Sequence, residues 1–233
     1  MLLGATGLLH QALATVTIWA LSAVLALSLA VALAVGSSGT RTALRLLAHG
    51  AITVTRGVPT SLLVVGAGIL ALGRPSPAWL PDPFPGTPPE LALVAWAVTA
   101  ALALGSTGHL AVIFRTGYQS LGPARLEQAT VLGLGPLRRL GLLAREAAAA
   151  TLAPTGTRLV HHLHNTAFAA LFPVAELFGW VQEGANTTFD IGRYTTAGIG
   201  AYVLLSLLIW ALCRGVEHLL GAPARRQPAV VPA

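Results

Sequence analysis

Apolar positions in this chain gather into long runs, and polar residues collect at the joints between them. Five runs, at about 9–35, 50–72, 91–114, 151–178 and 197–213, approach or reach the roughly 20 apolar residues that a helix needs to cross a hydrocarbon layer. The pattern predicts an all-α membrane protein with five spans, forming one transmembrane domain over 1–221. A Pro-rich end, "GAPARRQPAVVPA", makes 222–233 a disordered cytoplasmic tail.

The joints refine this plan. No charged side chain occurs from Met1 to Gly39, and the first cation, Arg41, follows the first apolar run. A cleaved signal peptide carries its cations before the apolar core, so the run is expected to be a retained helix with its N-terminus outside. The second run opens with "TRGVPTS", where Arg56 marks the inner edge and Gly57 and Pro59 loosen and restart the helix. From Arg74 to Glu90 the segment "RPSPAWLPDPFPGTPPE" holds seven of the fifteen prolines and reads as an irregular external loop. The third run stops at Arg115, and the polar stretch 115–145 follows on the inner side.

Composition agrees with a bilayer: 55% of residues are hydrophobic and 9% charged. All fourteen basic residues are Arg. Without Lys the chain cannot build a phosphate-binding P-loop, so any ATP chemistry must reside on another chain. Cys213 is the single cysteine, which excludes an internal disulfide and argues against thiolate metal or redox chemistry. The pI of about 11 does not point to nucleic acid, because the Arg residues are scattered and form no dense patch. They report orientation instead. Eleven fall on the expected inner side and two, Arg74 and Arg193, outside, which predicts N-out, C-in.

Two polar clusters are candidates for function. In the inner joint, "YQSLGPARLEQATVL" spaces Leu121, Leu126, Ala129 and Leu132 as a helix does; Gly133 then suits a left-handed cap, and Pro136 the first turn of a re-entering helix. In the fourth run, "HHLHNT" places His161, His164 and Asn165 on one helix face, with Thr166 next to them. These four residues either line a pathway or make interhelical hydrogen bonds near a helix break. A metal site is not expected, since further His or carboxylate ligands are not nearby, and His109 reads as packed.

Glu127, Ala129 and Gly133 fit the spacing E-x-A-x3-G, which resembles the EAA loop of permease subunits of ABC importers. Other motifs match the polar amino acid subfamily (the histidine, glutamine and arginine type) in order. Arg56-Gly57-Val58-Pro59 stands where the family has RGTP, and "VIFRTGYQS" resembles the pattern before the EAA motif. Pro154 keeps the second family proline, and "HNTAFAALFPVAEL" resembles the KDTSL…EL segment. Gln128 and Glu146 depart from the family pattern.

The resemblance implies the type I importer permease fold in a bacterial inner (plasma) membrane. It implies a loop of Glu127, Ala129, Gly133, Leu134 and Pro136 that seats in a dimer of ABC ATPase subunits, where ATP and Mg are bound, so that this chain carries no cofactor and no catalytic residue. A second permease copy or paralogue, an extracytoplasmic binding protein, membrane lipids and a small solute complete the expected partners. The solute expected is a polar amino acid or similar small zwitterion. Methionine or a quaternary ammonium solute is the alternative within transport; a non-transporting scaffold partner and a His-cluster membrane enzyme are the alternatives outside it.

Overall fold

A computed structural model describes residues 5–38, 41–121, 124, 127–128, 131–133 and 136–219. Ala129 and Leu134 of the expected coupling loop, and the tail 222–233, lie outside the described residues.

Seven long helices carry the described chain: α1 (Ala5–Ser37), α2 (Thr42–Gly57), α3 (Thr60–Ala71), α4 (Ala92–Gln119), α5 (Pro136–Asn165), α6 (Leu177–Thr188) and α7 (Ile191–Leu219). Among the described residues no strand is present. Three stretches are long and apolar enough to cross a membrane: Thr6–Ser37, Pro89–Gln119 and Ile191–Leu219, with mean hydropathies of 2.5, 1.7 and 2.0.

The second expected span is different. It begins at Thr42, ahead of position 50, and is two helices, α2 and α3, bent by 94°. Its cause is local: Pro59 has no N–H and its ring disfavours helical backbone at the preceding residue, so Val58 is extended (φ −90, ψ 126) and α2 ends at Gly57. Pro59 then serves as the N-cap of α3, its carbonyl accepting from Leu62 and Leu63 N–H at 3.0 and 3.2 Å. A twelve-residue α3 rises only about 18 Å, so it does not cross a bilayer alone.

The fourth expected span also has different ends. Helix α5 starts at Pro136, runs unbroken through the expected boundary near 151 with Pro154 inside it, and passes into a 3-10 turn over Thr166–Leu171. The chain is then broken around Pro173 and restarts as α6 at Leu177. Arg138, Arg139, Arg145, Glu146 and Arg158 make α5 too charged to qualify as an apolar span by composition. By that measure the described residues hold three crossing helices, or four with the bent pair as one.

α4 is the centre. Of its apolar window 67% is buried inside the chain, against 28% for α1 and 11% for α7. It packs on α1, α2, α3 and α5. Small residues permit this: Ala95, Ala101, Ala103, Gly105, Ser106, Gly108 and Ala111 are all buried on α4. Such residues let helix backbones approach closely where no hydrophobic effect drives association. Ile18, Val64, Val94, Val98 and Leu102 fill the core beside them.

A Cβ on Gly108 would meet the Ile52 carbonyl oxygen of α2 at 2.8 Å. Gly108→Leu is therefore expected to lose roughly 1–3 kcal/mol by overpacking. Unchanged resistance to unfolding in mixed micelles would show that α2 yields without cost.

The Pro-rich loop is irregular yet pinned. Trp96 Nε1–H donates to the Pro81 carbonyl at 2.7 Å, and the Phe84 ring, 3% exposed, meets Trp96 edge-on with centroids 5.2 Å apart. The buried Thr87 hydroxyl accepts from Ala175 N–H at 3.0 Å, tying the loop to the segment before α6.

Candidate functional site

Two places follow from the sequence: the inner loop and the histidine-bearing stretch of α5. At the loop, Leu132 N–H bonds the Gln128 carbonyl at 3.0 Å, closing a helical turn, and Gly133 follows with φ +65. That is the left-handed backbone in which Gly avoids a Cβ clash. Glu127 and Gly133 are exposed, and a Cβ built on Gly133 has nothing within 4 Å among the described residues. Helix α5 then opens at Pro136, a position where the missing proline N–H would have had no helical partner.

On α5 the 3.6-residue repeat separates the polar side chains into two sets. Arg158 and His162, four apart, face inward. His162 is fully buried, and both ring nitrogens are used: Nε2 lies 2.7 Å from Ser22 Oγ on α1, and Nδ1 lies 2.8 Å from Ser106 Oγ on α4. The Ser22 hydroxyl has its own acceptor, the Ile18 carbonyl at 2.6 Å. Ser22 therefore accepts from Nε2–H, and Ser106 donates to Nδ1. Arg158 Nη2 donates in turn to Ser106 Oγ at 3.2 Å and to the Gly105 carbonyl at 2.8 Å. Arg158, Ser106, His162, Ser22 and the Ile18 carbonyl thus form a relay of donors pointing one way, across α5, α4 and α1. The Ser22 and Ser106 hydroxyls and both His162 nitrogens have partners, as a low-dielectric interior requires, while the buried Nε of Arg158 has none.

His161 and His164 take the outer set. Both are exposed, with ring centroids 6.4 Å apart. His164 Nε2 lies 3.2 Å from Ser206 Oγ on α7. It borders an apolar cavity of about 700 Å³ between α5, α6 and α7 that Tyr202 and Trp210 also line. His161 borders two others, of about 310 and 280 Å³. Asn165 is half-buried, whereas Thr166 is fully buried, its hydroxyl donating to the Leu163 carbonyl at 2.6 Å. Thus His161 and His164 share an open face, and Thr166 turns back on its own helix.

The cavity of about 310 Å³ brings together residues far apart in sequence: Arg56 of α2, His109 of α4, and Pro154, Thr157, Arg158 and His161 of α5. His109, expected to be packed, is partly exposed here. Glu176, 1% exposed, is the N-cap of α6, accepting from Phe178 N–H at 2.9 Å and from Gly179 N–H. Tyr202 O–H donates to the same carboxylate at 3.2 Å. The resemblance marked Glu176 as a motif residue, and helix capping is what it does in the fold. Arg158 and His162 were missed as site residues. Their four-residue spacing was visible, but Ser22 lies 140 positions away from His162.

No protein-family model matches the chain. No curated protein sequence matches it either. Among solved structures it is similar to a chain of an amino acid ABC transporter with histidines, with 19% identity and a TM-score of 0.73, covering 92% of this chain and 94% of that one. It is also similar to chains of the MetNI methionine ABC transporter in inward-facing conformations. One crystal form gives 14% identity and a TM-score of 0.68, covering 92% of this chain and 94% of that one. Another gives 17% and 0.63, covering 95% and 96%. The fold is that of ABC transporter membrane subunits, shared along nearly the whole chain.

Proposed function

We propose that this chain is the transmembrane permease subunit of an ATP-driven ABC importer for a polar amino acid or similar small zwitterion. What carries the reading is a likeness over 92% of the chain to a subunit of an amino acid transporter, joined to motifs that run in family order. In it, ATP and Mg sit on a separate ATPase dimer. Glu127, Ala129, Gly133, Leu134 and Pro136 transmit nucleotide-driven closure from that dimer to the helices. A second permease copy or paralogue closes the pathway, and an external binding protein delivers the solute. Alternating access follows as a population shift: nucleotide binding favours one arrangement of the paired subunits, and hydrolysis releases it. Orientation is N-out, C-in, with the Pro-rich loop and the region around α6 facing the binding protein, in a bacterial inner membrane.

The likeness to methionine transporter chains, with TM-scores of 0.68 and 0.63, supports methionine as a second solute reading. One experiment tests both. The chain is co-expressed with candidate ABC ATPase and binding-protein subunits from the same genome, and the complex is placed in vesicles loaded with ATP-regenerating mix. ATP-dependent accumulation of a labelled polar amino acid is expected. Accumulation of methionine alone would favour the second reading, and a chain that neither co-purifies with an ATPase nor supports any uptake would remove the importer reading.

A further inference from the structure

The cavity of about 310 Å³ between α2, α4 and α5 has a one-sided charge. Arg56 and Arg158 line it together with His109 and His161, and none of its lining residues is acidic. The eight carboxylates of the chain, at 82, 90, 127, 146, 176, 183, 190 and 217, explain why. Among the described side chains two carboxylates come near α5: Glu176, whose oxygens are taken by the α6 N-terminus and Tyr202, and Glu217, which lines the neighbouring cavity of about 280 Å³ and is paired with Arg214 at 2.8 Å.

Arg158 is held but not satisfied. Its Nη2 is fixed by the Gly105 carbonyl and Ser106, while its buried Nε has no hydrogen-bond partner. Arg56 is exposed on the same cavity wall. Arginines at membrane depth are costly and mark pathways for ions or substrates when they face a water-filled cavity. The guanidinium fork suits oxyanions such as carboxylate. A volume of about 310 Å³ lies within the range of small-solute sites.

We propose that this cavity takes a solute of net negative charge, an acidic amino acid or dicarboxylate, with its oxyanion groups on Arg158 and Arg56. The proposal rests on the permease reading; among polar amino acids it selects the acidic ones, and it extends the solute class to dicarboxylates. A neutral zwitterion brings a single carboxylate to two guanidiniums, together with an ammonium group that no acidic lining residue receives, whereas an acidic amino acid or dicarboxylate brings two carboxylates, one for each guanidinium. An anionic lipid headgroup offers the same oxyanion chemistry, and the membrane composition separates the two sources.

The test uses the purified full-length chain in phosphatidylcholine nanodiscs, with radiolabelled L-glutamate, succinate, L-glutamine and L-arginine as probes. L-Glutamate or succinate should bind at least tenfold more tightly than L-glutamine or L-arginine. Arg158→Gln and Arg56→Gln should each weaken that binding at least tenfold, with Arg158→Lys in between. Because Arg158 also ties α5 to α4, Arg56→Gln, on an exposed side chain, is the variant that separates recognition from folding. Glutamine binding as tight as glutamate, or unchanged glutamate binding in Arg56→Gln, would overturn the proposal. Affinity for phosphatidylglycerol added to the nanodiscs, with no binding of either soluble acid, would assign the cavity to lipid and equally overturn it. Arg56-dependent glutamate binding without ATP-driven uptake would instead keep the proposal and remove the importer reading.

Discussion

Replacing Gly133 by tryptophan is expected to abolish ATP-driven uptake while leaving the permease folded and inserted. The argument has two parts with separate signatures. Gly133 sits at φ +65, so any side chain there carries left-handed backbone strain of about 1 kcal/mol, small against the stability of the whole bundle. Beyond the backbone, a Cβ at Gly133 meets nothing within 4 Å among the described residues. A loss that scales with side-chain size is the signature expected of a docked partner. Across Gly133→Asn, Ala and Trp, permease yield and melting should change little. Uptake should fall with volume, in the order Ala, Asn, Trp, even though Asn tolerates the left-handed region better than Ala does. Uptake that tracks only backbone tolerance, with Asn above Ala and Trp equal to Ala, would reduce Gly133 to a turn residue.

His162→Ala should be the most destabilising substitution in the bundle, at roughly 2–4 kcal/mol. The imidazole is fully buried, joins α5 to α1 and α4, and leaves two buried hydroxyls behind when removed. Single interhelical hydrogen bonds in membranes average only about 0.6 kcal/mol, so Ser22→Ala should cost well under a third as much. The remainder in His162→Ala comes from the cavity and from stranding Ser106 and Arg158 together. Graded unfolding in sodium dodecyl sulfate micelles measures both. Equal losses in His162→Ala and Ser22→Ala would show that the two ends of the relay are not cooperative.

Much of the architecture could be read from residue order alone. Apolar runs located α1, α4 and α7, because a long uninterrupted apolar run has little alternative to lipid or protein burial. Gly133 and Pro136 located a turn and a helix start through their own backbone preferences. Interruption at Gly57 and Pro59 was also legible, but its 94° angle was not, since it depends on how α2 and α3 each pack on α4. That the helix opening at Pro136 runs without a break past 151 into the fourth run was not legible, because charged residues on a helix look the same as charged residues in a loop when only hydropathy is followed. Within "HHLH", composition cannot say which ring is inside. That depends on Ser22 and Ser106, on helices that meet α5 only in the fold, and it sent the pathway expectation to His161, His164, Asn165 and Thr166 while Arg158 and Arg56 were placed on one cavity by tertiary packing.

The central claim, that the loop after α4 seats in an ATPase subunit, has a direct chemical test. Cys213 is the single cysteine, so Cys213→Ser combined with Glu127→Cys leaves one reactive thiol, at an exposed loop position. With a short bifunctional thiol reagent, and single cysteines placed in turn around the ATPase groove, the predicted result is a permease–ATPase cross-link whose yield changes when ATP is added. Absence of any cross-link in a co-purified complex, with the same thiol still open to a small maleimide, would contradict the account.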